Sequence, residues 1–449
     1  MISGTIAGSS SFTVYPLGEI TITRPSSSYY YISYSPSSAS GTMWIKSTSD
    51  ATPVSYQISS YSGMLKFSNN YPEYLSFESC NWSSIKTNIP LFNQASVFAR
   101  CSTLQNADLY SCTSLSTNAF LYCSSLSQVS LPMCSYIGTY VFASCSSLLQ
   151  VNLPVCEYIG KDAFYDCRSL SQVSLPVCKY IGYAAFDWCK SLSQISLPMC
   201  SYIGSFAFFD TTLLSQLSLP VCEYVGERAF QMCYLLSQIS LPVCSYIGKS
   251  AFDWCRSLSQ VSLPMCSYIG AYAFGSCSSL TQISLPMCSY IGTGAFGSCS
   301  SLTKISLPMC SYIGKDAFHS CKSLSQISLP MCSYIENGAF LECYSLSQIS
   351  LPVCEYIGSW VFQECFSLSQ VSLPVCSFIG SMTFRYCSSL SIITIGYSSV
   401  CSLGSDAFYN TKITSSTGRI YVPASLVSAY KSATNWSYFS AIIQSYPGL

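Results

Sequence analysis

The chain repeats itself every 22 residues over most of its length, and Leu126 to Ser147, LSQVSLPMCSYIGTYVFASCSS, is one copy. A Leu-Pro-Met/Val-Cys tetrapeptide starts at Leu131, Leu153, Leu175, Leu197, Leu219, Leu241, Leu263, Leu285, Leu307, Leu329, Leu351 and Leu373, without slippage. A second marker, Phe-x-x-Cys, keeps the same beat from Phe98 to Phe384, with looser copies at Phe77 and Phe408. A fixed period of this length marks a solenoid: one copy cannot close a core, whereas stacked copies can.

Within the copy, Val129 and Leu131 alternate with Gln128 and Ser130, the period-two pattern of a strand with one buried face. Pro132 ends that strand, having no N–H for the next coil's ladder. Ile137 and Gly138 open the return path. The expected core of one coil is Leu126, Val129, Leu131, Cys134, Ile137, Phe142 and Cys145. The predicted architecture is a solenoid of about sixteen coils over residues 71–412, on the beat of the markers. A parallel β-sheet forms one face, and irregular or short helical return segments form the other.

The run LSQVSLPxCxYIGxxAFxxCxSL resembles the BspA-type leucine-rich repeat of bacteria, over roughly Phe77 to Thr411. The resemblance implies a leucine-rich-repeat solenoid of the kind described as surface-exposed adhesins in gut and oral anaerobes. It implies a non-enzymatic protein that binds a host or bacterial surface protein or glycan, at the cell surface or outside it. Two departures stand out: the ninth position is always Cys here, and the copies are unusually uniform.

Charge narrows the options. Charged residues make up 8% and the net charge is zero, so no basic stripe exists to track phosphates and nucleic acid is not an expected partner. No run of eighteen apolar residues occurs, so no membrane span is expected. The first twenty residues lack a positive n-region and a continuous apolar stretch, so no Sec-type signal is expected. That keeps a phage virion component or a cytoplasmic protein open as alternatives.

The chain has 28 cysteines, which fall every 11 residues from Cys101 to Cys387 with one gap, at Thr211. A disulfide framework and a metal array are the functional readings. Close C-x-x-C pairs are absent and His319 is the only histidine, which argues against zinc. Like cysteines on adjacent rungs would lie about 4.8 Å apart with parallel side chains, a poor disulfide geometry. The expectation is two internal ladders of reduced thiols, one at the Cys134 position and one at the Cys145 position, suited to a cytosolic or anaerobic setting. No cofactor is expected.

The ends differ in texture. Residues 1–70 carry short alternating runs, such as Ile20-Thr21-Ile22 and Met43-Trp44-Ile45, separated by turn residues such as Pro25-Ser26, and read as a small all-β domain. It can cap the solenoid, attach it or mediate self-association. Residues 413–449 read as a C-terminal cap, a strand at Arg419 to Val422 followed by a helix with Leu426, Val427 and Tyr430 on one face and Trp436 and Phe439 beside it.

The two exposed faces of the array behave differently. The strand face repeats Gln and Ser coil after coil, which suits only an equally periodic partner. The return face holds nearly all the variation, rich in residue types that anchor interfaces. Its candidate binding residues are Tyr140, Tyr165, Trp188, Lys190, Phe206, Arg228, Tyr234, Trp254, Arg256, Tyr272, Trp360, Arg385 and Tyr386. Unconstrained surface positions are the plain alternative. Nothing resembles an active site, since a Ser-His or Cys-His pair could use only His319. The expected function is protein or glycan binding and adhesion. The alternative is a structural or assembly element such as a fibre, spacer or phage receptor-binding component.

Overall fold

The computed structural model describes residues 95–446 except 397 and 416, together with Phe77 and the strands between Ile2 and Phe92. Pro25, Ser26, Cys80 and Asn81 lie outside the described residues. The chain forms two compact units, Met1–Leu219 and Pro220–Leu449.

In the first unit, each coil contributes two short strands to two parallel ladders. One ladder runs through Gln128–Ser130, Gln150–Asn152, Gln172–Ser174 and Gln194–Ser196, paired like with like. Its central residues point inward and its Gln and Ser residues outward, as the alternation requires. The second ladder runs through Tyr136–Ile137, Tyr158–Ile159, Tyr180–Ile181 and Tyr202–Ile203. The first ladder continues into the N-terminal region. Trp82–Thr87 pairs in parallel with Asn106–Asp108 and antiparallel with Tyr30–Pro36, which in turn pairs with Gly63–Phe67. The N-terminal strands thus extend the solenoid's own sheet.

The second unit repeats this plan. Gln238–Ser240 begins a parallel run that continues coil by coil to Ile392–Ile395. Arg419–Val422 and Ile443–Ser445 then close the sheet. The Tyr–Ile ladder runs from Tyr224–Val225 to Ser402–Leu403.

The expected core residues are inside: Leu126, Leu131, Cys134, Ile137, Phe142 and Cys145 are all at most 1% exposed. Val129 is half-buried, although its counterparts such as Val151 and Val173 are buried. The phenylalanines form a stack, with Phe252, Phe274 and Phe296 at centroid separations of 5.2 and 5.4 Å. Gly160 and Gly270 occur where coils touch backbone to backbone. A Cβ at Gly270 would stand 2.7 Å from the carbonyl carbon of Gly248.

The cysteines from Cys101 to Cys401 are free and buried. Each row donates to a particular carbonyl. In the Cys134 row the thiol reaches the carbonyl two residues on, as in Cys156 Sγ to Tyr158 O at 3.3 Å. In the Cys145 row it reaches the phenylalanine carbonyl of the preceding coil, as in Cys277 Sγ to Phe252 O at 3.2 Å. Thr211 fills the one gap because its hydroxyl also finds a phenylalanine carbonyl, Phe208 O at 2.8 Å. The position selects a small side chain that can donate a hydrogen bond.

The C-terminal cap closes the last coil. Its helix is Val427–Ser432, and Tyr430 and Trp436 are fully buried. The Tyr430 hydroxyl accepts the Cys401 N–H at 2.9 Å and the Trp436 indole donates to the Cys401 carbonyl at 2.7 Å. Two side chains thereby satisfy the backbone groups that a further coil would have paired. The Asn435 amide donates to Leu403 O at 2.7 Å, so the Asn-Trp-Ser triplet there serves the cap. Phe408 ends the phenylalanine stack against the edge of Phe439, 5.4 Å away.

Candidate functional site

The return segment between Gly138 and Cys145 is a row of turns with a fixed hydrogen-bond logic. The Tyr140, Phe142 and Ser144 N–H groups donate to the next coil, at Lys161 O, Ala163 O and Tyr165 O. The intervening N–H groups of Ala143 and Cys145 donate back three residues, to Tyr140 O and Phe142 O. Serving both directions forces the residues at the Tyr140 and Ser144 positions into the left-handed region, with φ of 56° and 58°.

Eight of the thirteen candidate residues stand at these left-handed positions: Tyr140, Trp188, Phe206, Arg228, Trp254, Tyr272, Trp360 and Tyr386. Left-handed φ costs a non-glycine residue about 1 kcal/mol or more. Glycine would be the cheap solution, and Gly294 and Gly338 adopt it. Tyr272 lies over Gly294, where any Cβ would collide with the tyrosine ring.

In the first unit, the structure gathers candidates from consecutive coils. Trp188, 37% exposed, lies between the Lys190 ammonium at 4.9 Å and the Arg168 guanidinium at 6.0 Å from its ring. Each cation is held by its own carboxylate: Lys190 by Asp210 at 3.0 Å and Arg168 by Asp166 at 2.6 Å. Asp187 sits beneath this cluster with one carboxylate oxygen buried and unpaired. Its pKa is pushed up to about 7 by burial first, then by Asp162 and Asp210. Tyr140 bonds to Asp162, and this contact is the main cause holding the phenol above its ordinary range. Burial is the main cause raising Tyr165. Phe206 packs against Tyr183 and Phe209 at 5.4 and 5.7 Å.

In the second unit, Arg256 covers Trp254 at 4.5 Å and reaches Tyr234 at 5.7 Å. Asp253, beside Trp254 in sequence, accepts the Gln231 amide at 2.8 Å, and burial raises its pKa to about 6. Arg228 lies 3.7 Å from Glu227. A second group forms near the cap. The Trp360 indole donates to Met382 Sδ at 3.2 Å, and Arg385 lies over Tyr386 and Tyr409 at 4.9 and 5.3 Å. Between these groups the return positions turn small, as at Gly275, Ser276, Ser278, Gly297 and Ser298.

Some members of these clusters were not among the candidates. Tyr183, Arg168 and Tyr409 belong with them, and Tyr183 and Tyr409 are exposed. Tyr409 follows Phe408 as Arg385 follows Phe384, so extending the period through the last coil finds it.

The other surfaces are less specific. An open groove of about 740 Å³ lies over Gln326, Ser328, Gln348, Ser350, Gln370 and Ser372 on the strand face. A cavity of about 620 Å³ lies between the last coil and the cap, floored by Phe408, Ile413, Phe439 and Ile442. His319 does meet a hydroxyl: Ser320 Oγ is 3.2 Å from its Nε2. Ser320 donates, however, to Glu342 at 2.7 Å, and Glu342 also approaches the same histidine nitrogen, at 3.9 Å. Among the described residues no contact orients the far ring nitrogen, so the constellation lacks the order of a nucleophile, base and orienter. Among the described residues, no three His, Cys, Asp or Glu side chains gather as a metal site, and no helix is long and apolar enough to cross a membrane.

The fold has relatives among solved structures. A leucine-rich repeat protein from Bacteroides ovatus shares 20% identity over 84% of this chain and 97% of its own, with a TM-score of 0.54. A leucine rich cell surface protein from Faecalibacterium prausnitzii shares 19% identity over 78% of this chain and 94% of its own, with a TM-score of 0.36. No curated protein matches. The model of the BspA type leucine rich repeat region matches in overlapping stretches, 70–177, 157–265, 223–330, 245–352 and 311–433. With the 22-residue strand spacing and the two stacked ladders, that match means that the chain belongs to the BspA-type leucine-rich repeat family.

Proposed function

We propose that this chain is a non-enzymatic binding protein whose return face engages a protein or glycan on a host or bacterial surface. In this reading it works outside the cell or on its surface. The observation that carries it is the retention of large aromatic and cationic side chains at left-handed positions, where glycine would fold at lower cost. Ala184, Ser144 and Ser276 keep the same left-handed φ, so it is the bulk and charge placed at these points, rather than the strain itself, that call for a use. The clusters are also ordered before any partner arrives. Trp188 and Trp254 are each held by a cation at 4.9 and 4.5 Å, which reduces the entropy lost on binding. Tryptophan, tyrosine and arginine are the residue types that dominate binding energy.

The test is the full chain carrying Trp188→Gly, Trp254→Gly and Trp360→Gly together. Glycine suits the φ of 62°, 66° and 59° at these sites, so the coils remain folded. Binding to epithelial cell surfaces and to an array of surface glycans should fall at least about tenfold, as loss of more than 1 kcal/mol requires. Undiminished binding by the folded variant sinks the return-face reading.

A further inference from the structure

We infer that the methionine–tyrosine face of the second unit docks a second copy of this chain, face to face. This surface is distinct from the return face, and the inference does not rest on the reading above. Five consecutive coils expose an apolar residue at the same point: Val243, Met265, Met287, Met309 and Met331, at 42, 56, 50, 52 and 55%. Three residues on from each, Tyr246, Tyr268, Tyr290 and Tyr312 stack at 4.9 Å with their rings within 3° of parallel. Tyr334 continues the stack at 5.7 Å. The serines between the two rows turn their hydroxyls along the stack: Ser267, Ser289, Ser311 and Ser333 each donate to the serine carbonyl of the preceding coil at 3.2 to 3.3 Å. Covering this face therefore strands no serine hydroxyl. Between Glu223 and Glu355 the serine row carries no charge. At its edge, Glu336 accepts the Tyr312 hydroxyl at 2.6 Å.

The area matches what a stable pair needs. Half-exposed methionines offer on the order of 100 Å² each, so with the tyrosine edges the five coils present roughly 800 Å², one partner's share of a standard interface. A continuous apolar patch above a few hundred Å² marks an interaction surface. Periodicity selects the partner. Only a surface with the same step meets every coil in register, and a second copy carries that step. In a two-fold arrangement Met287 opposes the partner's Met309 and Met265 opposes the partner's Met331, so the rows interdigitate as in a steric zipper.

Sedimentation equilibrium of the full chain under reducing conditions tests this. A reversible dimer is expected at concentrations up to ~100 µM. The variant M265K/M287K/M309K/M331K should weaken it at least about 100-fold while leaving the thermal midpoint in place at concentrations where the native chain is also monomeric, since these side chains face solvent in the monomer. The corresponding Met→Leu variant should keep the dimer. A native chain that stays monomeric overturns the inference, as does a dimer indifferent to the four lysines. A monomer that cofloats with phosphatidylcholine vesicles, and loses that in the lysine variant, would assign the face to lipid and overturn it too.

Discussion

Raising the pH from 8 to 10 should cost this fold most of its stability, because the cysteines titrate against it. An unfolded thiol ionises near pH 9. Burial, the largest cause in each case, pushes Cys178 and Cys244 up to about 11 and Cys266 and Cys332 up to about 12. The fully buried row, including Cys167, Cys277 and Cys299, is raised further, again chiefly by burial. The folded values lie above the unfolded one, so this contribution is complete below about pH 9 and is lost as pH rises toward the folded values. One unit above the unfolded value, each thiol forfeits between about 1 and 2 kcal/mol, or about 3 kcal/mol for the two thiols of a coil. At the usual ~0.05–0.15 kcal/mol per residue, a coil's own share of stability is only about 1–3 kcal/mol. The two terms cross near pH 10. Urea unfolding followed by far-ultraviolet circular dichroism at pH 8, 9 and 10, with reductant present, should show the midpoint falling throughout and the fold lost near pH 10. Thiolate absorbance near 240 nm should rise only with unfolding. A flat urea midpoint, or thiolate absorbance rising on an intact fold, would refute the reasoning.

Two further outcomes follow from local contacts. Asp187→Asn should stabilise the chain at pH 8 and leave it unchanged near pH 4. The Asp187 pKa is raised to about 7, so its favourable protonated state is lost as pH climbs through that value. Discounted for partial exposure, the gain is about 1 kcal/mol, readable as a thermal shift at the two pH values. Trp436→Ala should cost about 3–5 kcal/mol locally, by emptying a fully buried site and stranding the Cys401 carbonyl. Hydrogen exchange should accelerate at Ile392–Ile395 and Arg419–Val422 while staying slow around Tyr246, since coils couple mainly to their neighbours.

The coil, its inward residues and the closing strand and helix were legible because burial writes a period into the sequence. Val151 between Gln150 and Asn152 can face only inward, and Leu-Pro ends the strand at a fixed point. The Tyr–Ile ladder was not legible, since a two-residue strand is too short to show alternation. Its trace is the tyrosine kept from Tyr136 to Tyr356, which an exposed position has no need to keep unless rings stack. The left-handed turns were hidden for another reason. Their usual marker is glycine, and here Asp, Trp, Tyr, Ser and Met stand in its place. The thiol ladders are legible as packing, and the cysteines are buried, but the carbonyl each thiol reaches depends on turn geometry that the period does not record. The apolar row at Met133 and Met265 hides within the tetrapeptide, because its neighbours in sequence, Leu and Cys, point inward.

Uniformity and variation in this chain have one physical division. Where a core side chain stacks on its counterpart in the next coil it is constant, because the neighbour's identical group fixes its space, as with the stacked Phe252 and Phe274 or the backbone contact at Gly270. At the Tyr140 and Ser144 positions it is the backbone that meets the next coil, through the N–H, and the side chain is left outside the ladder. Substitution there leaves the hydrogen-bond ladder in place, and it alters the surface wherever the side chain is exposed, as at Trp188 and Trp360. It does not come free, since every non-glycine residue keeps a left-handed φ. Small residues suffice at these points, as Ala184, Ser276, Gly294 and Gly338 show. Trp188, Trp254 and Trp360 instead hold bulky, part-exposed rings at φ near 60°, and cations or sulfur fix each ring in place. A bulky ring that the fold does not require at such a point is the physical reason to look for a partner on this face.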